Sequence, residues 1–397
     1  MISVDTIKNT HDLIKNHIIK TPLIRSNYND KVYFKLENLQ KTGSFKERGA
    51  LTALMKLTKS ESEAGVVVAS AGNHSQAIAY HARRLGITCK VYMPLNTPSV
   101  KIINTKGYGA EVIIAGDTVI DCVELAKKCN MTFIHPFDSN DIICGQGTLG
   151  IELLEQLDEI DCVVVPVGGG GLAAGIISYI KQTNPNIKII SAESDSCPSM
   201  SYALKCGNPC HVNAFPSLAD GIAVRKVGDI PFNIIKDHID DHIVVSDKQI
   251  AQAVVTILDK DKVLVEGSGA VAFAAVQQNL SPIFDSAQKI ICICSGGNID
   301  GSVLCKIIER GLKASGRLVR LCVMMKDNSG NLAEILNIIG SHDANVRNII
   351  HEKTFQNNDT PLGIVRTYIE IETTSFDQID NVIESLKNSD PVLGITI

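Results

Sequence analysis

The chain has 397 residues, 45 % of them hydrophobic and 20 % charged, with a formal net charge of −5 at pH 7. That length exceeds one simple core and predicts two or three domains. The net negative charge and the lack of Trp argue against a nucleic-acid partner or an anionic membrane.

The first twenty residues are amphipathic and carry acids, so they do not read as a secretory leader. From residue 31 to about 300, short β-branched runs alternate with helical stretches. "VYFKLEN" reads as a strand, with a helix from 45. "GVVVASAGNH" reads as a strand and loop before the helical "QAIAYHARRLG". "CKVYMPL" is a strand whose following helix ends near Gly107, and "AEVIIAG" is a strand before a helix over 117–129. "CVVVPVGGGG", "IKIISAE", "HIVVSD" and "KIICICSGG" continue the series. Continuous apolar strands separated by helices predict an α/β fold of parallel sheets covered on both faces, with ligands at the carboxyl ends of the strands. No charge falls between Cys162 and Ile180, which raises a membrane span. The "PVGGGG" at its centre breaks any continuous helix, so strand, loop and helix is the better reading.

Near residue 314 the character changes. After the polar joint "KASGR" the pattern runs β-α-β-β-α-β, with a polar turn "FQNNDTP" between its second and third strands. That is a ferredoxin-like order and predicts a separate small domain. The twelve cysteines are scattered, and neither Cys206 with Cys210 nor Cys292 with Cys294 has a second pair at zinc-ligand spacing. They read as reduced thiols serving as small core residues in a cytoplasmic protein, and no metal site is expected.

Chemistry concentrates at glycine-bearing strand ends. "TGSFKE" puts Lys46 in the first turn of a helix, with Ser44 and Glu47 at capping-box spacing. An ammonium there is repelled by the helix end, by about 0.3–1 kcal/mol. A buried lysine in that position has a lowered pKa, and its neutral amine can form a Schiff base; a solvated surface lysine is the plain alternative. The four glycines of "VPVGGGGLAAG" let several amides converge on one phosphate at a helix start. "GGGLAA" also fits a loose dinucleotide pattern, with Glu193 as the ribose-binding acid. Ser70, Ala71, Gly72 and Asn73 offer amides for a substrate carboxylate, or simply cap a helix; His74 reads as structural. A nucleophilic lysine plus a phosphate cradle suggests pyridoxal 5′-phosphate (PLP) as the carbonyl partner.

"KLENLQKTGSFKERGA", "SAGNHSQAIA", "PVGGGGLAAG" and "SGGNID", in that order and spacing, resemble the fold-type II PLP enzymes, which are tryptophan synthase β-like. Within these the chain is most similar to the threonine dehydratases (threonine ammonia-lyases) over roughly residues 5 to 312. The last eighty residues resemble an ACT domain, with "KDNSGNLAEIL" as its loop and first helix. The resemblance implies a PLP catalytic domain over 1–313 with two parallel-sheet lobes (the smaller about 50–150), and an ACT regulatory domain over 318–397. It implies that Lys46 holds the cofactor and acts as the base, with Phe45 beside it. Asn73 would contact the ring oxygen, Gly168, Gly169, Gly170, Gly171 and Leu172 the phosphate, and Ser295 the ring nitrogen. Glu266 would lie near the ring, and Ser70 to His74 would take the substrate carboxylate. Asp327, Asn328, Gly330, Asn331 and Asn345 would contact an amino-acid effector, in a homo-oligomer. The related serine racemases carry Ser where this chain has Ala71, which implies little racemisation. Their divalent-metal pattern pairs a glutamate matching Glu193 with a carboxylate six residues on, where this chain has Ser199. The alternatives are an NAD-dependent oxidoreductase, a threonine synthase or cystathionine β-synthase on the same fold, and a non-catalytic amino-acid sensor.

Overall fold

Each β-branched run that the sequence alternates with helices becomes a short strand. In the computed structural model, which describes residues 1–352 and 361–397, fourteen strands are present. They are β1 (Leu23–Arg25), β2 (Val32–Leu36), β3 (Val66–Ala69), β4 (Cys89–Met93), β5 (Glu111–Ile114), β6 (Thr132–Phe133) and β7 (Cys162–Pro166). They continue as β8 (Lys188–Ser194), β9 (Asp241–Val245), β10 (Ile290–Cys294), β11 (Leu318–Lys326), β12 (Asn345–Glu352), β13 (Ile364–Glu372) and β14 (Val392–Thr396). The turn "FQNNDTP" lies outside the described residues except for Pro361.

The chain divides into two units, Met1–Leu304 and Cys305–Ile397. The first unit holds two sheets. The larger has the order β1-β2-β10-β7-β8-β9, and the smaller β5-β4-β3-β6. All pairs are parallel except β1 with β2, an antiparallel edge that the sequence pattern did not announce. Every residue of β3, β7 and β10 is buried, as expected of strands packed on both faces. Cys162, Cys292 and Cys294 are among them and behave as small apolar residues; all twelve thiols are free.

The helices cover these sheets. Three matter for the site: Lys46–Met55 and Asn73–Leu85 in the smaller lobe, and Gly171–Thr183 after β7. The helix read over 117–129 is shorter, Val119–Lys127, because Thr118 and Asp121 close a capping box at its start. Among the described residues no helix is long and apolar enough to cross a membrane.

The second unit is an antiparallel sheet, β12-β13-β11-β14, with helices Asn331–Ser341 and Phe376–Lys387. Its strands bury alternate residues, as Val365, Thr367, Ile369 and Ile371 do on β13. Both helices pack their apolar stripes on that face.

Candidate active site

The Lys46 loop leaves β2 at the carboxyl edge of the larger sheet. Gly43 adopts φ +74°, and a Cβ there would run into the Asn298 side chain, so the turn needs glycine. The loop then pairs with the "SGGN" loop after β10: Phe45 N donates to Ser295 O (3.1 Å) and Gly297 N to Gly43 O (2.9 Å). Two distant glycine segments are thereby stitched together around Lys46.

The expected capping box does not form. The helix starts at Lys46 with Phe45 as its cap and no side-chain hydrogen bond at that cap. Glu47 reaches past Ser44 to accept from Thr42 N and also meets His81 Nε2 (3.2 Å). Ser44 Oγ is left buried without a protein partner.

Lys46 Nζ donates to Pro136 O (2.9 Å) and lies 5.1 Å from the Phe45 ring centroid. Its pKa is lowered to about 8 by burial, which replaces the helix end as the physical cause. The amine is therefore neutral far more often near physiological pH than that of an ordinary lysine.

Opposite lies the glycine loop. Gly168, Gly169, Gly170, Gly171 and Leu172 line the same cavity as Phe45, Lys46 and Ser295. Gly170 sits at φ +91° as cap of the helix Gly171–Thr183, which starts without a side-chain cap. The first turn of a helix carries amides without intrahelical partners and the positive end of the dipole, both of which suit a phosphate. Side chains at these glycines would fill the cradle's walls: a Cβ on Gly168 would meet the Ile222 backbone at 2.9 Å.

Ser295 Oγ donates to Ser268 O (3.3 Å), leaving its lone pairs free. Asn73 Nδ2 donates to Glu266 Oε1 (2.8 Å), and Asn73 Oδ1 accepts from Asn298 Nδ2 (2.9 Å). Ser268 Oγ also donates to Glu266 Oε1 (2.6 Å). Burial pushes the Glu266 carboxyl up to about 7, against the lowering effect of these donors.

Ser70, Ala71 and Gly72 form the loop just before Asn73, with Gly72 N donating to Ser70 Oγ (3.3 Å). Neither they nor Asn73 and Glu266 line the main cavity; Asn73 is tied to it through Glu266 and Ser268, whose carbonyl accepts from the lining residue Ser295. The His74 side chain turns away to the Ile134 carbonyl (3.2 Å), and burial drives its pKa down to about 3. Glu193 is used elsewhere: it accepts from Met200 N (2.9 Å), Ser201 N (2.7 Å) and His242 Nε2 (2.8 Å). That removes the acid on which the dinucleotide reading depended.

Sequence reasoning passed over Pro136, Phe137, Gln146, Gly221, Ile222 and Val224, all of which line the cavity. None carries a glycine cluster or a periodic signal of its own; "HPFD" after β6 was the nearest available cue. The second unit has its own cavity, lined by Asp327, Asn328, Gly330, Met325, Ser329, Leu332 and His351. Asn331 and Asn345 do not line it; their side chains bond Lys326 O (3.0 Å) and Glu372 Oε2 (3.1 Å).

The residues fit PLP: a lysine with a lowered pKa, a glycine cradle for the phosphate, and buried Ser44 Oγ and Gln146 Oε1 without protein partners. The profile of the family described as "Pyridoxal-phosphate dependent enzyme" matches residues 14–296, and the chain belongs to that family. It is 39 % identical to an L-threonine ammonia-lyase of Geobacter sulfurreducens, over 98 % of each chain. It is 37 % identical to the catabolic L-threonine dehydratase of Escherichia coli K12, covering 77 % of this chain and 96 % of that one. Among solved structures it resembles the processed form of threonine deaminase isoform 2 of Solanum lycopersicum. That match has TM-score 0.72 and 34 % identity, and covers 77 % of this chain and 86 % of that one.

Proposed function

We propose that this protein is a threonine ammonia-lyase, converting L-threonine to 2-oxobutanoate and ammonia, and L-serine to pyruvate and ammonia. The observation that carries the reading is the Lys46 amine, lowered to about 8 and facing a glycine cradle across one cavity. When bound, PLP supplies an aldehyde for linkage to amines and an electron sink for charge released at the amino acid's α-carbon.

The amides of Gly168 to Gly171 and of Leu172 hold the phosphate, and Phe45 packs beside the lysine. Lys46 Nζ, once free, takes the proton from the substrate α-carbon; a pKa near 8 leaves it neutral often enough to do so. Ser295 Oγ would turn its proton from Ser268 O to the ring nitrogen, and such a neutral donor would not stabilise a protonated ring as a carboxylate would. Asn73, backed by Glu266, meets the ring oxygen, and the loop Ser70 to His74 takes the substrate carboxylate. Loss of water and then hydrolysis gives the 2-oxo acid and ammonia.

Residues 1–313 form the catalytic domain in this reading, and 318–397 an ACT domain that binds an amino acid at Asp327, Asn328 and Gly330. Asn331 braces that loop through Lys326 O, whereas Asn345 lies at the other end of the sheet, bonded to Glu372 on the strand end that pairs with Leu318, and takes no part in it. The assembly is a cytoplasmic homo-oligomer.

The test is 2-oxo acid release from L-threonine and L-serine, with and without L-isoleucine, in the wild type and in Lys46→Ala. Turnover of threonine by the wild type, and its loss in Lys46→Ala together with the lysine-linked absorption band, is expected. Wild-type turnover in the alanine variant would refute the assignment.

A further inference from the structure

The segment "HPFD", His135–Asp138, leaves β6 in the smaller lobe and runs to the glycine cradle. Each of its residues has a distinct contact. His135 Nδ1 accepts from two amides, Phe137 N (3.3 Å) and Asp138 N (2.8 Å). Its ring meets the Phe137 ring edge-on, with centroids 4.7 Å apart and planes at 88°. Pro136 O receives the Lys46 amine at 2.9 Å. The Phe137 ring lies on the cradle so closely that a Cβ on Gly169 would run into it, and one on Gly171 would meet Phe137 O at 3.0 Å. Asp138 closes the turn on the far side, accepting from Asp229 N (3.1 Å) and Ile230 N (2.9 Å). Gly228 N, next in that chain, donates to Gly169 O (3.1 Å). One turn thus touches the lysine, the cradle and the segment that braces the cradle from behind.

We propose that His135 is a positioning residue for the cofactor site, whose Nδ1 holds the Pro136–Asp138 turn and so fixes both the carbonyl beneath the Lys46 amine and the ring that walls the glycine cradle. The imidazole does this as a neutral acceptor. An Nδ1 that takes two N–H bonds cannot carry a proton, and burial keeps the ring neutral by pushing its pKa down to about 4. Without that acceptor, two amides in a part-buried turn lose their partner, and the cheapest relief is to rotate the turn toward water. Rotation moves the Pro136 carbonyl and the Phe137 ring together. An Asn side chain is the natural substitute, because its oxygen accepts from an amide two residues on in an Asx turn.

The inference rests on the proposed cofactor site and is tested by binding rather than turnover. Full-length wild type, His135→Leu and His135→Asn, each stripped of cofactor, are titrated with PLP while the lysine-linked absorption band is followed. Thermal unfolding of each variant is recorded alongside. His135→Leu should bind PLP roughly tenfold to a hundredfold more weakly, the scale on which outer-shell partners act. His135→Asn should stay within about threefold of the wild type. Unchanged affinity in a folded His135→Leu overturns the inference and leaves the site assignment standing. If His135→Leu does not fold, His135→Asn decides, and a tenfold loss there overturns it. Failure of the wild type to bind PLP would instead overturn the site assignment.

Discussion

Glu266 shows how one buried side chain links site chemistry to stability. It is 5 % exposed, sits among the donors Asn73 and Ser268, and burial lifts its carboxyl from 4.5 to about 7. The folded chain therefore keeps this proton in a range where the unfolded chain releases it. Between pH 4.5 and 7 the unfolded state binds fewer protons than the folded one, so stability falls as pH rises through that window. The loss is on the order of 2 kcal/mol. Glu266→Gln keeps an oxygen that accepts from Asn73 and cannot ionise. In cofactor-free protein its unfolding free energy should gain on the wild type between pH 5 and pH 8, by that amount. A constant difference between the two proteins across this range would sink the argument. The sequence singled out Glu266 only through the family likeness. Nothing in "VEGSGA" announces that Asn73, 193 positions away, completes its environment.

At the scale of elements, the Lys46 helix is anchored on its far side by buried charge. Arg48 lies two positions beyond the lysine and forms two bonds to Glu37 (Nε to Oε2, 2.7 Å; Nη2 to Oε1, 2.8 Å). It forms two more to Glu152 (2.7 and 2.9 Å), and Lys35 Nζ adds a bond to the same carboxylate (2.6 Å). All four residues are essentially unexposed. Burial drives the Glu37 carboxyl up, and the Arg48 guanidinium together with Lys35 and the Thr21 hydroxyl more than offsets it, leaving it below its usual range. The network ties β2, the helix Lys46–Met55 and the helix Asn140–Gln156 into one frame behind the reactive amine. Arg48→Met removes the shared cation and leaves carboxylates buried without it. The expected cost is about 3–5 kcal/mol, read from denaturant unfolding. A loss under about 1 kcal/mol would mean that water reaches the carboxylates, and that they are not the anchor described. The strands and their parallel order were readable from apolar runs, because that signal is local. This network was not, because Lys35 and Glu152 stand 117 positions apart and each alone looks like a surface charge. The failed capping box has the same origin: Ser44 and Glu47 have the right spacing, but Thr42 and His81 compete for the carboxylate.

For the whole molecule, the division at Leu304 matches a difference in chemistry. The cavity with Lys46 and the glycine cradle is built entirely from residues 45 to 295. The second unit has its own hydrophobic core and its own cavity, around Asp327, Asn328 and Gly330. The Escherichia coli relative is matched over 96 % of its length by only 77 % of this chain, so a related enzyme is accommodated without an equivalent of the whole second unit. The β-α-β-β-α-β order was legible because its strands alternate buried and exposed residues; the cavity was legible only through the family likeness, which pointed to Asp327, Asn328 and Gly330 but not to Met325, Leu332 or His351. Removing the residues after Ala314 should keep threonine turnover within about threefold. No residue that lines the Lys46 cavity is lost. The same truncation should abolish any change of rate with L-isoleucine or L-valine, because a coupling free energy needs the second site to be present. Rates are compared at subsaturating threonine with each amino acid added in turn. A truncated enzyme that still responds would place the effector in the first unit and remove the regulatory role proposed for the second.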